Sequence, residues 1–331
     1  MRAAVIGGGS WGSAFARYLG QTKIRTSLWI REEEILLEVA RTGENRTFLP
    51  GFVFPPAVSF TGRLDEAMAE AEVIFVAVPS TFCRSVYGRM APFLRPGQAV
   101  VSLTKGIETG SLKRMTELMA EIFRTSPRPR LGALSGPSFA REVAASHPTA
   151  LVLASRDLDW ARDIQRRLSS QTIRIYTSRD VVGIELGGAL KNIIAIAAGI
   201  CDGLDFGLNS RAALITRGLA EMSGLGRSLG ARPETFFGLA GLGDLVLTCT
   251  GGLSRNHWVG VQLGRGLTLT EVTSATSMVA EGVRTTLSVR ALSRRQGVEM
   301  PIAREVDRIL YNRKNPRRAL AELMSRALRS E

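Results

Sequence analysis

Histidine and cysteine are scarce in this chain of 331 residues, with two of the first and three of the second. Cys83, Cys201 and Cys249 lie far apart and form no CxxC pair. That excludes a disulfide framework and a thiolate zinc site. His147 and His257 are too few for a His-rich metal centre or a His-based triad, so no metal is expected. Also missing is an uncharged apolar run of the about 18 residues that would span a bilayer. The most apolar stretch, Val181–Cys201, is interrupted by Glu185 and Lys191. No integral membrane segment is therefore expected. The chain begins Met-Arg-Ala-Ala-Val-Ile and runs straight into glycines, without the apolar region and cleavage site of a signal peptide. A cytoplasmic location is the expectation. Asn45-Arg46-Thr47 matches a glycosylation sequon and, without such a signal, carries no meaning as one.

Lysine is scarce as well. Only Lys23, Lys105, Lys113, Lys191 and Lys314 stand among the 43 basic residues. A lysine kept in so arginine-rich a chain invites a reason at its position. The net charge is +13 and 45% of residues are hydrophobic, a balance unlike that of a disordered chain. The positive excess fits either a polyanionic partner or an acidic small substrate. The arginines are scattered, and in the basic tail from Arg284 onward they alternate with leucine and alanine at helical spacing. No nucleic-acid partner is expected, since net charge speaks to nonspecific attraction.

Short apolar runs alternate with helical patterns in the first half. The runs are Ala3–Ile6, Thr26–Ile30, Val73–Val78, Ala99–Leu103, Leu131–Leu134, Ala150–Ala154 and Ile173–Tyr176. Helical spacing marks Ser13–Leu19, Ser111–Phe123 and Leu158–Leu168. Such alternation predicts a parallel sheet covered on both faces. After about residue 180 strands cease. Val181–Cys201, Arg211–Leu229, Glu281–Gln296, Pro301–Tyr311 and Pro316–Leu328 read as helices, with Pro301 and Pro316 at first-turn positions. The expected organisation is an α/β domain over 1–180 and an all-α domain over 181–331, joined without a linker. Such a join favours a cleft.

Gly7-Gly8-Gly9-Ser10-Trp11-Gly12 fits G-x-G-x-x-G directly after the first strand and at the start of the first helix. In that context the motif predicts a Rossmann-type, doubly wound, dinucleotide-binding sheet. Gly7 permits the tight turn, Gly9 lets the backbone approach a pyrophosphate, and Gly12 lets helix and sheet pack closely. The second strand ends Ile30-Arg31-Glu32. Arg31 could accommodate the 2′-phosphate of NADP, while Glu32 beside it keeps NAD open.

Lys191 sits in a segment apolar on nearly every face, after Gly187-Gly188. A buried lysine costs several kcal/mol unless paired, and burial tunes it toward general acid/base work. Alternatively, its ammonium snorkels to a domain edge. The two glycines suggest close approach of another backbone or a ligand. Lys105 and Gly136-Pro137-Ser138 follow strands at their carboxyl ends, where open α/β sheets bind ligands. Arg255, between Ser254 and Asn256, offers a planar fork suited to phosphate. Ser254 or Asn256 would serve equally as a helix cap accepting from a backbone amide.

Together these residues resemble the bacterial-type NAD(P)-dependent glycerol-3-phosphate dehydrogenase family. The resemblance runs through Gly7–Gly12, Thr104-Lys105-Gly106, Ser135–Ala140, Gly187–Asn192, Ala240–Leu245, Ser254-Arg255-Asn256 and Val279–Gly282. It implies interconversion of sn-glycerol 3-phosphate and dihydroxyacetone phosphate, supplying glycerol for phospholipids. It implies that Ser10, Trp11, Arg31, Lys105, Ala140, Arg255, Val279 and Glu281 contact NAD or NADP. Lys105, Gly136, Ser138, Lys191, Asp244, Ser254, Arg255 and Asn256 would contact the phosphorylated substrate. Lys191 would be the proton acceptor in oxidation, with Asp244 a partner that keeps its ammonium positioned. A homodimer is compatible with this reading. Two departures stand out. Gly8 replaces a frequent alanine, and His257-Trp258 follows Asn256 where the family has a basic and an aromatic residue. His257 reads as structural or exposed, and His147, before Pro148, as a turn residue. The rivals are a 3-hydroxyacid or 6-phosphogluconate type dehydrogenase and a non-catalytic NAD(P)-binding sensor. Ser254-Arg255-Asn256 with Gly136-Pro137-Ser138 favours the small phosphorylated substrate over the first two, and an intact Lys191, Lys105 and Asp244 argues against the third.

Overall fold

The structure is a computed structural model and describes residues 1–125, 127–274 and 280–325. The chain divides into two compact units. Unit 1 comprises Met1–Lys105 and Lys113–Glu185; unit 2 comprises Gly106–Leu112 and Leu186–Glu331.

Unit 1 is built on one eight-stranded sheet. Its strands are β1 (Arg2–Ile6), β2 (Arg25–Trp29), β3 (Val58–Thr61), β4 (Val73–Val76), β5 (Ala99–Ser102), β6 (Arg130–Ser135), β7 (Thr149–Ser155) and β8 (Ile173–Ser178). They lie in the order β3-β2-β1-β4-β5-β6-β7-β8, whose first six places are the Rossmann order. In register, Val5 of β1 lies between Leu28 of β2 and Phe75 of β4. Alternate residues of β1 feed opposite cores. Ala3 and Val5 pack with Phe15, Leu19, Ile164 and Leu168. Ala4 and Ile6 pack with Val86, Tyr87, Leu118 and Met119. A strand buried on both faces must be apolar throughout, which is why β1, β4 and β5 stand out as unbroken runs.

The structure departs from the expectation at three points. β6 and β7 pair antiparallel, so the sheet is parallel only elsewhere. The connection from Ser135 to Thr149 holds only the five-residue helix Ala140–Ala144, too little for a regular crossover helix. β3 escapes the search for apolar runs because its sequence, Val-Ser-Phe-Thr, alternates as an edge strand does. The helix expected from Ser111 begins at Met115, after Leu112 takes a left-handed φ of 60°.

Among the described residues the regular elements of unit 2 are all helices. Its helices are the part of Val181–Gly203 after Glu185, then Gly207–Ser228, Pro233–Phe236, Asp244–Thr250, Arg255–Gly264, Leu269–Ser274, Glu281–Gln296, Pro301–Asn312 and Pro316–Met324. Pro301 and Pro316 each open their helix. A π-turn, Leu239–Gly243, precedes Asp244. Segment 106–112 belongs here in part because Ser288 Oγ donates to the Ile107 carbonyl at 3.3 Å. Val181–Gly203 is long and apolar enough to cross a membrane, but 89% of its most apolar window is buried in the protein.

That helix meets Arg255–Gly264 backbone to backbone. A Cβ on Gly199 would lie 2.0 Å from the His257 carbonyl oxygen, and one on Gly203 2.3 Å from that of Val261. In return, a Cβ on Gly260 would lie 2.1 Å from the Ile196 oxygen, and one on Gly264 2.6 Å from that of Ile200. Glycines spaced by four on both helices let the axes approach closely. The helix bearing Lys191 and the helix opened by Arg255 are thereby fixed against each other.

Candidate functional site

In unit 1 the sequence-predicted residues gather at the carboxyl ends of β1, β2, β5 and β6. Gly7 has φ +121°, and a Cβ on it would lie 2.8 Å from the Ala77 oxygen. Gly12 has the Gly7 oxygen 1.9 Å from where its Cβ would stand. Gly9, by contrast, has no atom within 4 Å of that position. No side chain caps the helix Ser10–Gln21, whose N-cap is Gly9. An open glycine face at an uncapped helix N-terminus fits a dinucleotide pyrophosphate. Ser10 and Trp11 form the first turn. At Gly8 a Cβ would meet Ile30 Cγ1 at 2.8 Å, which suits glycine better than the alanine common in the family it resembles.

Arg31 follows β2 and is exposed. Its guanidinium donates to Glu32 Oε1 at 2.5 and 2.9 Å and lies over the Phe82 ring, 5.4 Å from its centroid. Lys105 and Gly136 follow β5 and β6. Lys105 Nζ donates to the Gly136 carbonyl at 2.9 Å and to Ser138 Oγ at 3.4 Å, and Ser138 Oγ donates to that carbonyl at 2.9 Å. Gly136 holds φ +137°, which an L side chain resists. Ala140 opens its short helix.

In unit 2 Lys191 is 5% exposed and Asp244 1%. Lys191 Nζ donates to Asp244 Oδ1 and, at 2.7 Å, to Thr248 Oγ1. Thr248 Oγ1 donates to the Asp244 carbonyl at 2.6 Å. Lys191 therefore does not snorkel; its charge is paired inside the protein. The approach that Gly187-Gly188 suggested is a backbone one, since a Cβ on Gly187 would lie 2.5 Å from the Ala240 oxygen. The π-turn that follows delivers Asp244 to Lys191.

Ser254 and Asn256 do cap. Ser254 Oγ accepts from His257 N at 3.2 Å. Asn256 Oδ1 accepts from Gly282 N at 2.9 Å, and its Nδ2 donates to Asn192 Oδ1 at 2.9 Å. Asn256 thus ties the Lys191 helix to the start of Glu281–Gln296, whose first residue is Glu281. Arg255 between them is exposed, and its side chain has no hydrogen bond or ion pair with the described residues. Val279 lies outside the described residues. His257 is structural: its Nε2 is 2.7 Å from Asp202 Oδ2, which also accepts from Arg211 at 2.8 Å. Burial pushes the Cys249 thiol up to about 12 and the Cys201 thiol up to about 11, so neither is a nucleophile at neutral pH. Among the described residues no group of histidine, cysteine and carboxylate side chains could hold a metal.

Sequence reasoning missed Thr248 and the pairing role of Asn192. The signal for Thr248 was present, since it lies four residues after Asp244 and hence on the same helix face. Asn192 carried none beyond its place beside Lys191.

A Rossmann sheet followed by an all-helical unit that buries a paired lysine defines a dinucleotide-dependent dehydrogenase architecture. Residues 2–161 match the family described as NAD-dependent glycerol-3-phosphate dehydrogenase N-terminus, and residues 180–321 its C-terminus. The chain belongs to this NAD-dependent glycerol-3-phosphate dehydrogenase family. The glycerol-3-phosphate dehydrogenase [NAD(P)+] of Geobacter sulfurreducens is 50% identical over 330 residues, covering 100% of this chain and 98% of the relative. That of Koribacter versatilis is 49% identical over 332 residues, with coverage of 100% and 98%. The crystal structure of glycerol-3-phosphate dehydrogenase from Coxiella burnetii superposes with a TM-score of 0.94 at 40% identity, covering 98% of this chain and 99% of that one. A ketopantoate reductase from Ralstonia eutropha, at 15% identity and a TM-score of 0.62, shares the fold alone.

Proposed function

We propose that this protein interconverts sn-glycerol 3-phosphate and dihydroxyacetone phosphate with NAD or NADP, and that its glycerol 3-phosphate supplies phospholipid synthesis. The observation that carries the reading is the buried Lys191 ammonium held by Asp244 and Thr248. An ammonium so placed serves proton transfer at a reacting oxygen.

The dinucleotide is assigned to Gly7, Gly9, Ser10, Trp11, Gly12, Arg31, Lys105 and Ala140 in unit 1, with Arg255, Val279 and Glu281 from unit 2. When bound, its nicotinamide supplies the hydride for the substrate C2, or accepts it. In the reductive direction Lys191 Nζ stabilises the alkoxide developing on the C2 oxygen and gives it a proton. In the oxidative direction the same atom, as the neutral amine that this donation leaves, takes the hydroxyl proton and returns to the ammonium. Such a positioned acid/base is worth about 10²–10⁴ in rate. Asp244 and Thr248 hold Nζ in place, so no reorientation is needed at the moment of transfer. Arg255, with no competing ion pair among the described residues, takes the substrate phosphate with its planar fork. Lys105, Gly136 and Ser138 complete the substrate assignment, with Ser254 and Asn256 ordering the backbone on either side of Arg255. A cytoplasmic homodimer belongs to the same reading, and light scattering checks the dimer.

The test is the loss of NADH or NADPH absorbance with dihydroxyacetone phosphate, against dihydroxyacetone as control. Oxidation that requires the phosphate is the expected result, and the ratio of the two rates reports what Arg31 does. No oxidation of either cofactor by a protein that binds one would overturn the reading.

A further inference from the structure

Asn45, the sequon residue, is fully buried in unit 1. Its Nδ2 donates to the Gly8 carbonyl at 2.7 Å and to Ser13 Oγ at 2.9 Å. Ser13 Oγ donates to the same carbonyl at 3.2 Å. Both N–H groups of the Asn45 amide and the one O–H of Ser13 are thus spent on a single closed triangle around Gly8. Asn45 is itself locked, because its Oδ1 accepts from Phe48 N at 3.1 Å and its carbonyl from Leu49 N at 2.8 Å.

The consequence follows from the planar trans peptide. The carbonyl of Gly8 and the N–H of Gly9 belong to one peptide unit and point in opposite directions. Two hydrogen bonds draw the Gly8 carbonyl into the protein, so the Gly9 N–H faces away from it. A glycine loop binds phosphate through such outward N–H groups. Three consecutive glycines do not choose this peptide orientation themselves, since glycine populates many conformations with little preference. A buried side chain 37 residues away chooses it for them.

We propose that Asn45 is a positioning residue for the dinucleotide: it fixes the Gly8–Gly9 peptide so that the Gly9 N–H is presented to the cofactor phosphates. This rests on the reading that the loop binds NAD(P). It gives Asn45 a role that needs no glycan and no contact with the ligand.

The experiment is titration of NADH and NADPH by nicotinamide fluorescence, with steady-state kinetics on the full chain. Asn45→Ala should weaken binding of both nucleotides on the order of tenfold, the effect of about one lost hydrogen bond. The KM for dihydroxyacetone phosphate, and kcat at saturating cofactor, should stay within about twofold, a split that general loss of structure does not produce. Asn45→Asp keeps the acceptor for Phe48 N, loses both donors, and should bind at least as weakly. Ser13→Ala removes one of the two bonds to Gly8 and should weaken binding less, in the same direction. Thr47→Ala abolishes the sequon without touching the triangle and should bind like the wild type. If Asn45→Ala does not fold, Asn45→Asp and Ser13→Ala carry the test. Folded Asn45 variants that bind within twofold of wild type overturn the proposal, as does a fall in kcat with unchanged affinity. A wild-type protein that binds neither nucleotide overturns the dinucleotide reading itself, and this proposal with it.

Discussion

Gly187 packs its Cα against the carbonyl of Ala240, so closely that a Cβ would lie 2.5 Å from that oxygen. Lys191 stands about one helical turn beyond Gly187, and Asp244 opens the helix just after the turn containing Ala240. One backbone contact therefore sets the span across which Nζ reaches its carboxylate. Gly187→Ala improves helix propensity by about 1 kcal/mol. Overpacking against a backbone oxygen costs about 1–3 kcal/mol, so the clash should win. A misplacement of about 1 Å near the chemistry can cost on the order of 10²-fold in rate. The expected variant is less stable in urea and at least about tenfold slower in kcat. Its affinity for NAD(P)H, assigned mainly to unit 1, should stay near that of the wild type. Turnover equal to wild type would show that the contact does not set the pair.

The pair itself can be dissected. Asp244→Ala leaves an ammonium buried without its carboxylate, and breaking a buried pair costs about 3–5 kcal/mol. Lys191→Met removes the proton carrier and should lower kcat by about 10²–10⁴-fold, with cofactor affinity nearly intact. The double variant should be more stable than Asp244→Ala alone, because no unpaired lysine remains. Urea unfolding of the four proteins gives the coupling directly. Additive losses would mean that the hydrogen bond between Nζ and Oδ1 contributes nothing to stability.

Arg255 behaves oppositely in this scheme. It is exposed and unpaired among the described residues, so Arg255→Ala should leave unfolding within about 0.5 kcal/mol of wild type. Its loss should appear in the KM for dihydroxyacetone phosphate, rising about tenfold or more as a charge-assisted contact of about 1.5–3 kcal/mol disappears. With the cofactor saturating, so that the part of Arg255 in cofactor binding is not read, unphosphorylated dihydroxyacetone should not distinguish variant from wild type. An unchanged KM for the phosphorylated substrate would place the phosphate elsewhere.

What the sequence makes legible follows from burial and chain distance. The central strands can be read because burial on both faces forces unbroken apolar runs such as Val73–Val76. β3 cannot be read that way, because an edge strand needs only one apolar face. The direction of β7 is not written in its composition; the short connection decides it. Lys191 is legible because a lysine in an apolar helix demands a partner, and the resemblance supplied Asp244. Thr248 could have been found from its i,i+4 spacing to Asp244. Asn45 could not, since its contact with Gly8 spans 37 residues and nothing local marks it. The capping by Ser254 and Asn256 stood among the open alternatives, because which amide each oxygen meets is set by the tertiary packing.

Glu185 offers a test by pH. Burial pushes its carboxyl above the ordinary range, against the opposing pull of Arg114 and of the Thr116 hydroxyl and amide. Thr116 N donates to Oε1 at 2.7 Å, and Arg114 and Thr116 Oγ1 donate to Oε2. The unfolded chain loses this proton near pH about 4.3, the folded chain later. In between, the unfolded state binds fewer protons, so stability falls as pH rises. The contribution is full below the unfolded value and is lost through the folded one. Glu185→Gln cannot titrate. The stability of wild type relative to Glu185→Gln should therefore decline as pH rises from about 4 toward neutrality. Urea midpoints of both proteins across that range check it, and a difference that grows with pH would reverse the assigned shift.

Glycines in the helices of unit 2 give a matched pair of opposite sign. At Gly199 a Cβ would lie 2.0 Å from the His257 carbonyl oxygen and 2.9 Å from Val261 N, both backbone atoms that cannot swing aside. At Gly224, in Gly207–Ser228, the nearest atom is Val298 Cγ1 at 4.0 Å. Helix propensity favours alanine at both by about 1 kcal/mol. At Gly224 nothing opposes it, so Gly224→Ala should raise stability by about 0.5–1 kcal/mol and leave kinetics unchanged. At Gly199 the added methyl must wedge apart the helices carrying Lys191 and Arg255, and overpacking of about 1–3 kcal/mol outweighs the propensity gain. Gly199→Ala should lose stability and show a lower kcat together with a higher KM for the phosphorylated substrate. Those two losses should appear together, because a single displacement moves both residues. A Gly199→Ala enzyme stabilised like Gly224→Ala would show that the helices have room to spare, and that their glycines do not hold Lys191 and Arg255 in register.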